Sequence, residues 1–159
     1  MLPIKTILHP TDFSEQARYG FQMACALARD YGARLLVCHV YQPPPVVYGE
    51  FGVAPPPPGE APESLRAQLA RIRPAEGEVD VQHYLLEGDA AEEIVELARD
   101  SLCDLIVMGT HGRTGLGRLL MGSVAEQVMR RAPCPVLTIK APIEAALAGT
   151  ATTAAGAER

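Results

Sequence analysis

Residues 105–123 decide the fold, and they read Leu-Ile-Val-Met-Gly-Thr-His-Gly-Arg-Thr-Gly-Leu-Gly-Arg-Leu-Leu-Met-Gly-Ser. The first four form a short apolar run, which is typical of a strand covered on both faces of a parallel sheet. Glycine-rich sequence follows directly, and then Leu120, Val124 and Val128 recur at helical spacing. The stretch therefore predicts a buried strand, a glycine-rich loop and a helix in succession.

The same alternation of strand and helix runs through the rest of the chain. Apolar periodicity, with proline and glycine as breaks, predicts strands at 4–9, 35–40, 79–86, 105–108 and 136–139 and helices at 14–31, 64–73, 89–103 and from about 120 to just before Pro133. This pattern predicts one α/β domain, with an open, mostly parallel five-stranded sheet and helices on both faces.

The chain has 159 residues, the usual length of one domain, and we place that domain at residues 1–140. Prolines crowd residues 42–62, so we expect an irregular or polyproline-like loop there. Residues 141–159 are rich in alanine, threonine and glycine without an apolar period, and we expect a flexible C-terminal tail.

Composition excludes several classes of function. The 14 basic and 19 acidic residues give a net charge of -5, which argues against nucleic-acid binding. No apolar run approaches the roughly 20 residues that span a bilayer, and no signal peptide is evident, so we expect a cytoplasmic protein away from membranes. The cysteines form no C-x-x-C pair, so we expect neither a zinc nor a redox site and interpret them as small buried side chains: Cys25, Cys38, Cys103 and Cys134.

The glycine-rich loop has the chemistry of a phosphate site. Four glycines fall within 109–117, and Gly122 and Ser123 begin the next helix. Glycine lets backbone amides approach an anion, while the start of a helix adds unpaired N–H groups and a positive dipole end. The Ser123 hydroxyl is a further donor, and Arg113 and Arg118 are either charge partners or solvated loop side chains.

Two common glycine motifs fit this loop poorly. As a P-loop, residues 112–117 have the right spacing, but Arg118 and Leu119 follow in place of Lys and Ser/Thr. As a dinucleotide fingerprint, residues 115–117 lack the third glycine, because Leu120 occupies its position. Neither motif explains the loop.

The spacing Gly109-x-x-Gly112, nine residues, then Gly122-Ser123 resembles the ATP-binding signature of the universal stress protein family. The resemblance extends over residues 3–140, including the opening segment 4–14 and the closing segment 132–137. It implies a Rossmann-like sheet in the strand order 3-2-1-4-5. The ends of the first and fourth strands then meet where the order reverses, and ligands bind at such points.

The resemblance also implies which residues meet the nucleotide. Asp12 and the region of Pro10 would contact adenosine, and the Val40 backbone would hydrogen-bond adenine. Gly109 would lie near the ribose, and the phosphates would be held between the loop and the following helix. The implied site is Pro10, Thr11, Asp12, Val40, Gly109, Thr110, His111, Gly112, Arg113, Thr114, Gly115, Gly122, Ser123 and Val124.

Two side chains in this set have more than one interpretation. An aspartate before a helix is commonly an N-cap, so Asp12 is either a cap or a ligand contact. The His111 imidazole lies in the loop and could cover the nucleotide without proton chemistry. Elsewhere, Asp89 and Glu92 resemble a capping box and are better explained by helix capping than by catalysis.

The loop offers little for catalysis, because no Walker lysine or acidic metal-binding pair lies beside residues 112–123. Magnesium would arrive on the nucleotide's own oxygens. We expect an ATP-binding, nucleotide-responsive stress factor with no catalytic residues and at most slow hydrolysis. One alternative is a dimeric interaction module with incidental nucleotide binding, since the resemblance implies a homodimer through strand 136–139. An adenylating enzyme fits less well, because residues 10–14 lack a glycine- and serine-rich pyrophosphate loop.

Overall fold

The computed structural model of the chain describes residues 3–43, 47–49, 52–54, 60–75, 79–110 and 122–140. Seven strands and four helices lie in these ranges. The strands are β1 (Thr6–Pro10), β2 (Arg34–Tyr41), β3 (Val47–Gly49), β4 (Gly52–Ala54), β5 (Val81–Glu87), β6 (Leu105–Gly109) and β7 (Val136–Ile139). The helices are α1 (Glu15–Tyr31), α2 (Pro62–Ala70), α3 (Ala90–Asp100) and α4 (Ser123–Arg131).

Five strands form one parallel sheet in the order β5-β2-β1-β6-β7. Counted along the chain, this is the order 3-2-1-4-5, so the predicted fold is confirmed. The central strand β1 pairs on both sides, with Ile7 opposite Leu35 of β2 and Leu105 of β6. The strand order reverses between β1 and β6, which opens a crevice at their carboxyl ends.

Helices cover both faces of the sheet, as the apolar runs of the strands predict. Alternate strand residues point to opposite faces, so Ile7 packs with α1 and α2 while Leu8 packs with α3 and α4. Both side chains are fully buried. On the α1 side the helices contribute Phe21, Ala24, Ala28 and Leu69, and on the other side Ala91, Ile94, Ala98, Ala125 and Val128.

The prediction of an irregular segment at 42–62 is wrong for part of its length. β3 and β4 pair antiparallel, with Val47 opposite Ala54 and Gly49 opposite Gly52. Residues 46–54 contain no proline, and two positions separate the paired glycines, as a short hairpin connection requires. Further on, α2 begins at Pro62 rather than at residue 64, because proline's missing N–H costs nothing in the first turn.

The capping prediction for α3 is confirmed in its first half. Asp89 Oδ1 accepts a hydrogen bond of 3.0 Å from the Glu92 amide. No reciprocal bond from the Glu92 carboxylate to the Asp89 amide is present among the described contacts. Glu92 Oε1 instead lies 3.4 Å from the Arg131 guanidinium of α4.

Helices α1 and α3 end in the same motif with different residues at the left-handed position. Gly32 has φ 63° and Leu102 has φ 50°. In each case the following amide reaches back five residues, from Ala33 to Ala28 and from Cys103 to Ala98. Leucine is strained in this conformation, and the Leu102 side chain is 82% exposed, so it has little burial to offset the strain.

We therefore predict that Leu102→Gly raises the free energy of unfolding by about 0.5–1 kcal/mol. The matched change Gly32→Ala should lower the free energy of unfolding by a similar amount. Among the described residues, no atom outside Gly32 and its two chain neighbours lies within 4 Å of the added Cβ, so backbone strain is the expected cause. Urea unfolding followed by circular dichroism measures both. A destabilised Leu102→Gly variant would show that the exposed leucine makes contacts worth more than its strain.

The edge strand β7 is confirmed at Val136–Ile139. A homodimer through this strand stays a prediction, as do the domain limits at residues 1–140. The tail at residues 141–159 lies outside the described residues. None of the helices in the described ranges has the length and apolar character that a membrane crossing requires.

Candidate functional site

A cavity of about 310 Å³ lies at the carboxyl ends of β1, β2 and β6. Turns that follow β1 and β6, the end of β2 and the first turns of α3 and α4 form its walls. Its position is the reversal point of the sheet, where open α/β folds bind ligands. The lining residues are Pro10, Thr11, Asp12, Ala17, Cys38, His39, Val40, Ala90, Ile94, Met108, Gly109, Thr110, Gly122, Ser123, Val124 and Ala125.

Nine of the predicted nucleotide contacts line this one cavity. They come from four separate parts of the chain and meet only because β1, β2 and β6 are neighbours in the sheet. The other five, His111, Gly112, Arg113, Thr114 and Gly115, lie outside the described residues. The nine that meet are Pro10, Thr11, Asp12, Val40, Gly109, Thr110, Gly122, Ser123 and Val124.

The turn between β1 and α1 separates the two interpretations of Asp12. The N-cap of α1 is Ser14, whose Oγ accepts from the Ala17 amide at 3.2 Å. Asp12 Oδ1 instead accepts from the Ser14 amide at 3.0 Å, which shapes the turn before the cap. Asp12 is therefore not the helix cap, and its half-buried side chain stands in the cavity wall.

The end of β2 presents backbone groups to the cavity at Val40. In a parallel sheet, the backbone N–H and C=O groups of successive residues point to the two neighbouring strands in turn. Those of Cys38 point toward β1, because the Cys38 carbonyl accepts from the Thr11 amide at 2.8 Å. Two residues on, Val40 has the same orientation. The ladder with β1 ends at the pair Pro10–Cys38. The N–H and C=O of Val40 therefore face the cavity side of the sheet beyond the end of β1.

The two ends of the glycine-rich segment are held together at the cavity. The Gly122 amide donates to the Thr110 carbonyl at 2.8 Å, and the Thr110 amide donates to Ile139 at 3.1 Å. Gly122 is the N-cap of α4 and has no side chain that could bond the first amides of the helix. In α3, by contrast, Asp89 occupies this role. Within the described part of the chain no side chain caps the first N–H groups of α4, and this helix start borders the cavity, which favours an anionic ligand there.

Charge in the described part of the cavity wall is sparse. Asp12 is its single carboxylate, and neither lysine nor arginine is among the described lining residues. Arg113 and Arg118 lie outside the described residues. Over the described ranges, no group of three or more His, Cys, Asp or Glu side chains could hold a metal ion. Apart from Asp12 and the start of α4, the described wall is therefore largely uncharged, which suits a neutral ring system in that part of the cavity.

Sequence reasoning missed several lining residues. Cys38 and Met108 read as core residues, and they are buried, but they also form the floor of the cavity. Burial raises the pKa of the Cys38 thiol far above its ordinary range, aided by the nearby Cys103, so this thiol is protonated and not a nucleophile. His39 lies at the end of β2 and also lines the cavity. Its partner across the cavity edge, Thr11, is distant in sequence, so no local pattern identifies it.

A second histidine, His9, lies behind the cavity and is completely buried. Its Nδ1–H donates to the Val107 carbonyl at 2.8 Å, while its Nε2 has no hydrogen-bond partner among the residues that the structure describes. Burial lowers the pKa of His9 from 6.5 to about 4. Helix α1 passes close to this ring at Gly20, where an added Cβ would lie 3.1 Å from the imidazole. His9 is therefore a neutral structural histidine.

Comparisons with known proteins agree on one family. The sequence profile of the universal stress protein family matches residues 3–140. Over 138 residues the chain is 40% identical to the universal stress protein in the QAH/OAS sulfhydrylase 3′ region of Thermus aquaticus, with 86% of this chain and 98% of that protein covered.

Two solved structures show the same fold. UspA from Lactobacillus plantarum superposes with a TM-score of 0.66 at 21% identity, covering 87% of this chain and 99% of UspA. A universal stress protein in complex with cAMP superposes with a TM-score of 0.64 at 28% identity, covering 89% of this chain and all of that one, 100%.

Proposed function

The chain belongs to the universal stress protein family, and on that premise we propose that it binds ATP and acts as a nucleotide-responsive factor in stress tolerance. The observation that carries this proposal is the meeting of nine family-implied contact residues around one cavity of about 310 Å³. A relative with 28% identity and the same fold was crystallised with the adenine nucleotide cAMP. Both facts support an adenine nucleotide in this cavity.

Different parts of the cavity wall match the base, the ribose and the phosphates of the nucleotide. The Val40 backbone offers a donor and an acceptor beyond the end of β1, which matches the edge of an adenine ring. We propose that Asp12, which lines the cavity, accepts a hydrogen bond from a ribose hydroxyl. The uncapped start of α4, with the Ser123 hydroxyl, faces the end where phosphates would lie. The sparse charge near Val40 fits a neutral base there.

We propose binding without efficient hydrolysis. Efficient ATP hydrolysis requires a positioned water, a charge that stabilises the leaving phosphate and, as a rule, a metal ion. The described cavity wall offers one carboxylate and no cation, so magnesium would be carried by the nucleotide. Turnover should therefore be slower than about one per second, the lower end of ordinary enzymes.

Heat denaturation of the purified protein should release ATP, which mass spectrometry of the supernatant identifies. Protein stripped of nucleotide should then bind ATP in a calorimetric titration, with AMP and cAMP as comparison ligands. A protein that neither carries nor binds an adenine nucleotide would contradict the proposal. Sustained magnesium-dependent phosphate release at about one per second or faster would indicate an enzyme instead.

A further inference from the structure

We propose that His39 is a positioning residue for the nucleotide: it holds the turn at residues 11–13 in a strained conformation that brings Asp12 to the cavity. This inference rests on the proposed function, since it assigns a role at the same site. Asp12 lies between Thr11 and Phe13, and His39 touches both of these neighbours. The histidine thus fixes the backbone on either side of the carboxylate.

The strain lies at Phe13, whose φ is 63°. Residues with a Cβ avoid this region, and an aromatic residue placed there needs contacts that hold it. Glycine would adopt the conformation freely, but the sequence has phenylalanine. The backbone conformation at this position disfavours phenylalanine. Contacts made by the phenylalanine ring therefore have to stabilise the conformation.

The Phe13 ring packs against the core cluster on the α1 side of the sheet and also against His39. The two ring centroids lie 4.3 Å apart with an interplanar angle of 40°. Within the turn, the Phe13 amide also donates to Thr11 Oγ1 at 3.1 Å. Together the ring contact and the amide bond hold Phe13 in the left-handed conformation from both its side chain and its backbone.

His39 also bonds the start of the turn. Its Nδ1 lies 2.8 Å from the Thr11 carbonyl oxygen. A carbonyl only accepts, so Nδ1 carries the proton in this bond. The Thr11 amide in turn donates to the Cys38 carbonyl at 2.8 Å. Adjacent residues of β2 therefore hold both the donor and the acceptor of the Thr11 backbone, and the turn cannot move without breaking one of these bonds.

The same end of β2 continues into the cavity at Val40. His39 holds the turn that carries Asp12, and the next residue presents its backbone to the cavity. The end of β2 at residues 39–40 therefore sets the distance between Val40, which would contact the base, and Asp12, which would contact the ribose. Because a misplaced contact weakens binding sharply, loss of the His39 bond should be felt as lost nucleotide affinity.

Two substitutions separate positioning from direct ligand contact, since His39 itself lines the cavity. His39→Asn keeps an N–H on the atom that corresponds to Nδ1, and His39→Leu keeps bulk but removes the donor. We expect His39→Leu to weaken ATP binding about tenfold and His39→Asn to stay within about threefold of the unchanged protein. Calorimetric titration well below the melting temperature measures the affinities. Equal losses in both variants would overturn positioning through the hydrogen bond.

His83 provides a matched control, because its Nε2 makes a similar bond of 2.8 Å to the Ile72 carbonyl. It does not line the cavity. His83→Ala should lower the melting temperature without a change in ATP affinity. If His39→Leu behaves in the same way, the role of His39 is structural only, and the proposal fails.

An NMR measurement on the nucleotide-free protein tests the turn itself. A positive φ brings the amide and Hα protons of one residue close together, so Phe13 should give a strong intraresidue cross peak. This peak should weaken in His39→Leu, which loses both the ring and the donor, and it should weaken less in His39→Asn, which loses the ring but keeps the donor. An unchanged peak in His39→Leu would overturn the inference. Failure of the unchanged protein to bind ATP, with the peak behaving as expected, would overturn the nucleotide role and the proposed function but not the turn.

Discussion

Replacement of Gly122 by leucine is expected to weaken ATP binding by about 100-fold or more while the fold stays intact. Gly122 lines the cavity between the end of β6 and the start of α4. Its φ of -59° and ψ of 146° are open to any residue, so the substitution introduces no backbone strain. The new side chain would occupy space that the phosphates need, and calorimetric titration with ATP measures the loss.

A graded control separates volume from helix capping. Gly122→Ser adds a small side chain that is a good N-cap, so it should retain much more affinity than the leucine variant. Gly122→Leu should cost no more than about 1 kcal/mol of stability, which thermal unfolding checks. Unchanged affinity in the leucine variant would move the phosphate site away from α4.

Acid should destabilise the protein through His9 as the pH falls from about 6.5 to 4. The folded chain keeps His9 neutral, with a pKa of about 4, whereas the unfolded chain binds the proton near the ordinary value of 6.5. Between these values the unfolded state holds more protons, so the free energy of unfolding falls as the pH falls from about 6.5 to 4. The shift corresponds to about 3 kcal/mol lost across this window.

The variant His9→Asn isolates this effect. Asparagine keeps an N–H for the Val107 carbonyl but does not titrate, and all other ionisable groups are shared with the unchanged protein. Urea unfolding at pH 7, 5.5 and 4.5 should show a stability difference between the two proteins that narrows or reverses as the pH falls. If the difference in free energy of unfolding does not change with pH, then the pKa of His9 is not lowered in the folded protein.

The sequence was a good guide where structure follows local pattern. Apolar runs located the strands of the main sheet, and the glycine and proline breaks located the ends of α1 and α4 to within a few residues. The strand order could not be derived in this way, because pairing between β1 and β6 joins residues that periodicity treats separately. The resemblance to the universal stress proteins implied that order, and the structure confirms it.

The family resemblance also allowed part of the candidate site to be predicted. Asp12 and Val40 were identified through the family resemblance, and both line the cavity. Spacing could not identify His39 or Phe13. The ring contact joins residues 26 positions apart, and a left-handed phenylalanine contradicts its own local preference. Only the tertiary structure reveals why that conformation is held.

Because β1 lies at the centre of the sheet, it can complete its pairing only late in synthesis of the chain. Its His9 bonds a residue 98 positions later, and the amide of Lys5 bonds a residue 99 positions later. A chain synthesised from its N-terminus must therefore wait for most of its length before the first strand has both neighbours. The cavity closes only when Gly122 and α4 have been made. A nucleotide that binds this cavity would therefore stabilise only chains that have been synthesised at least through α4.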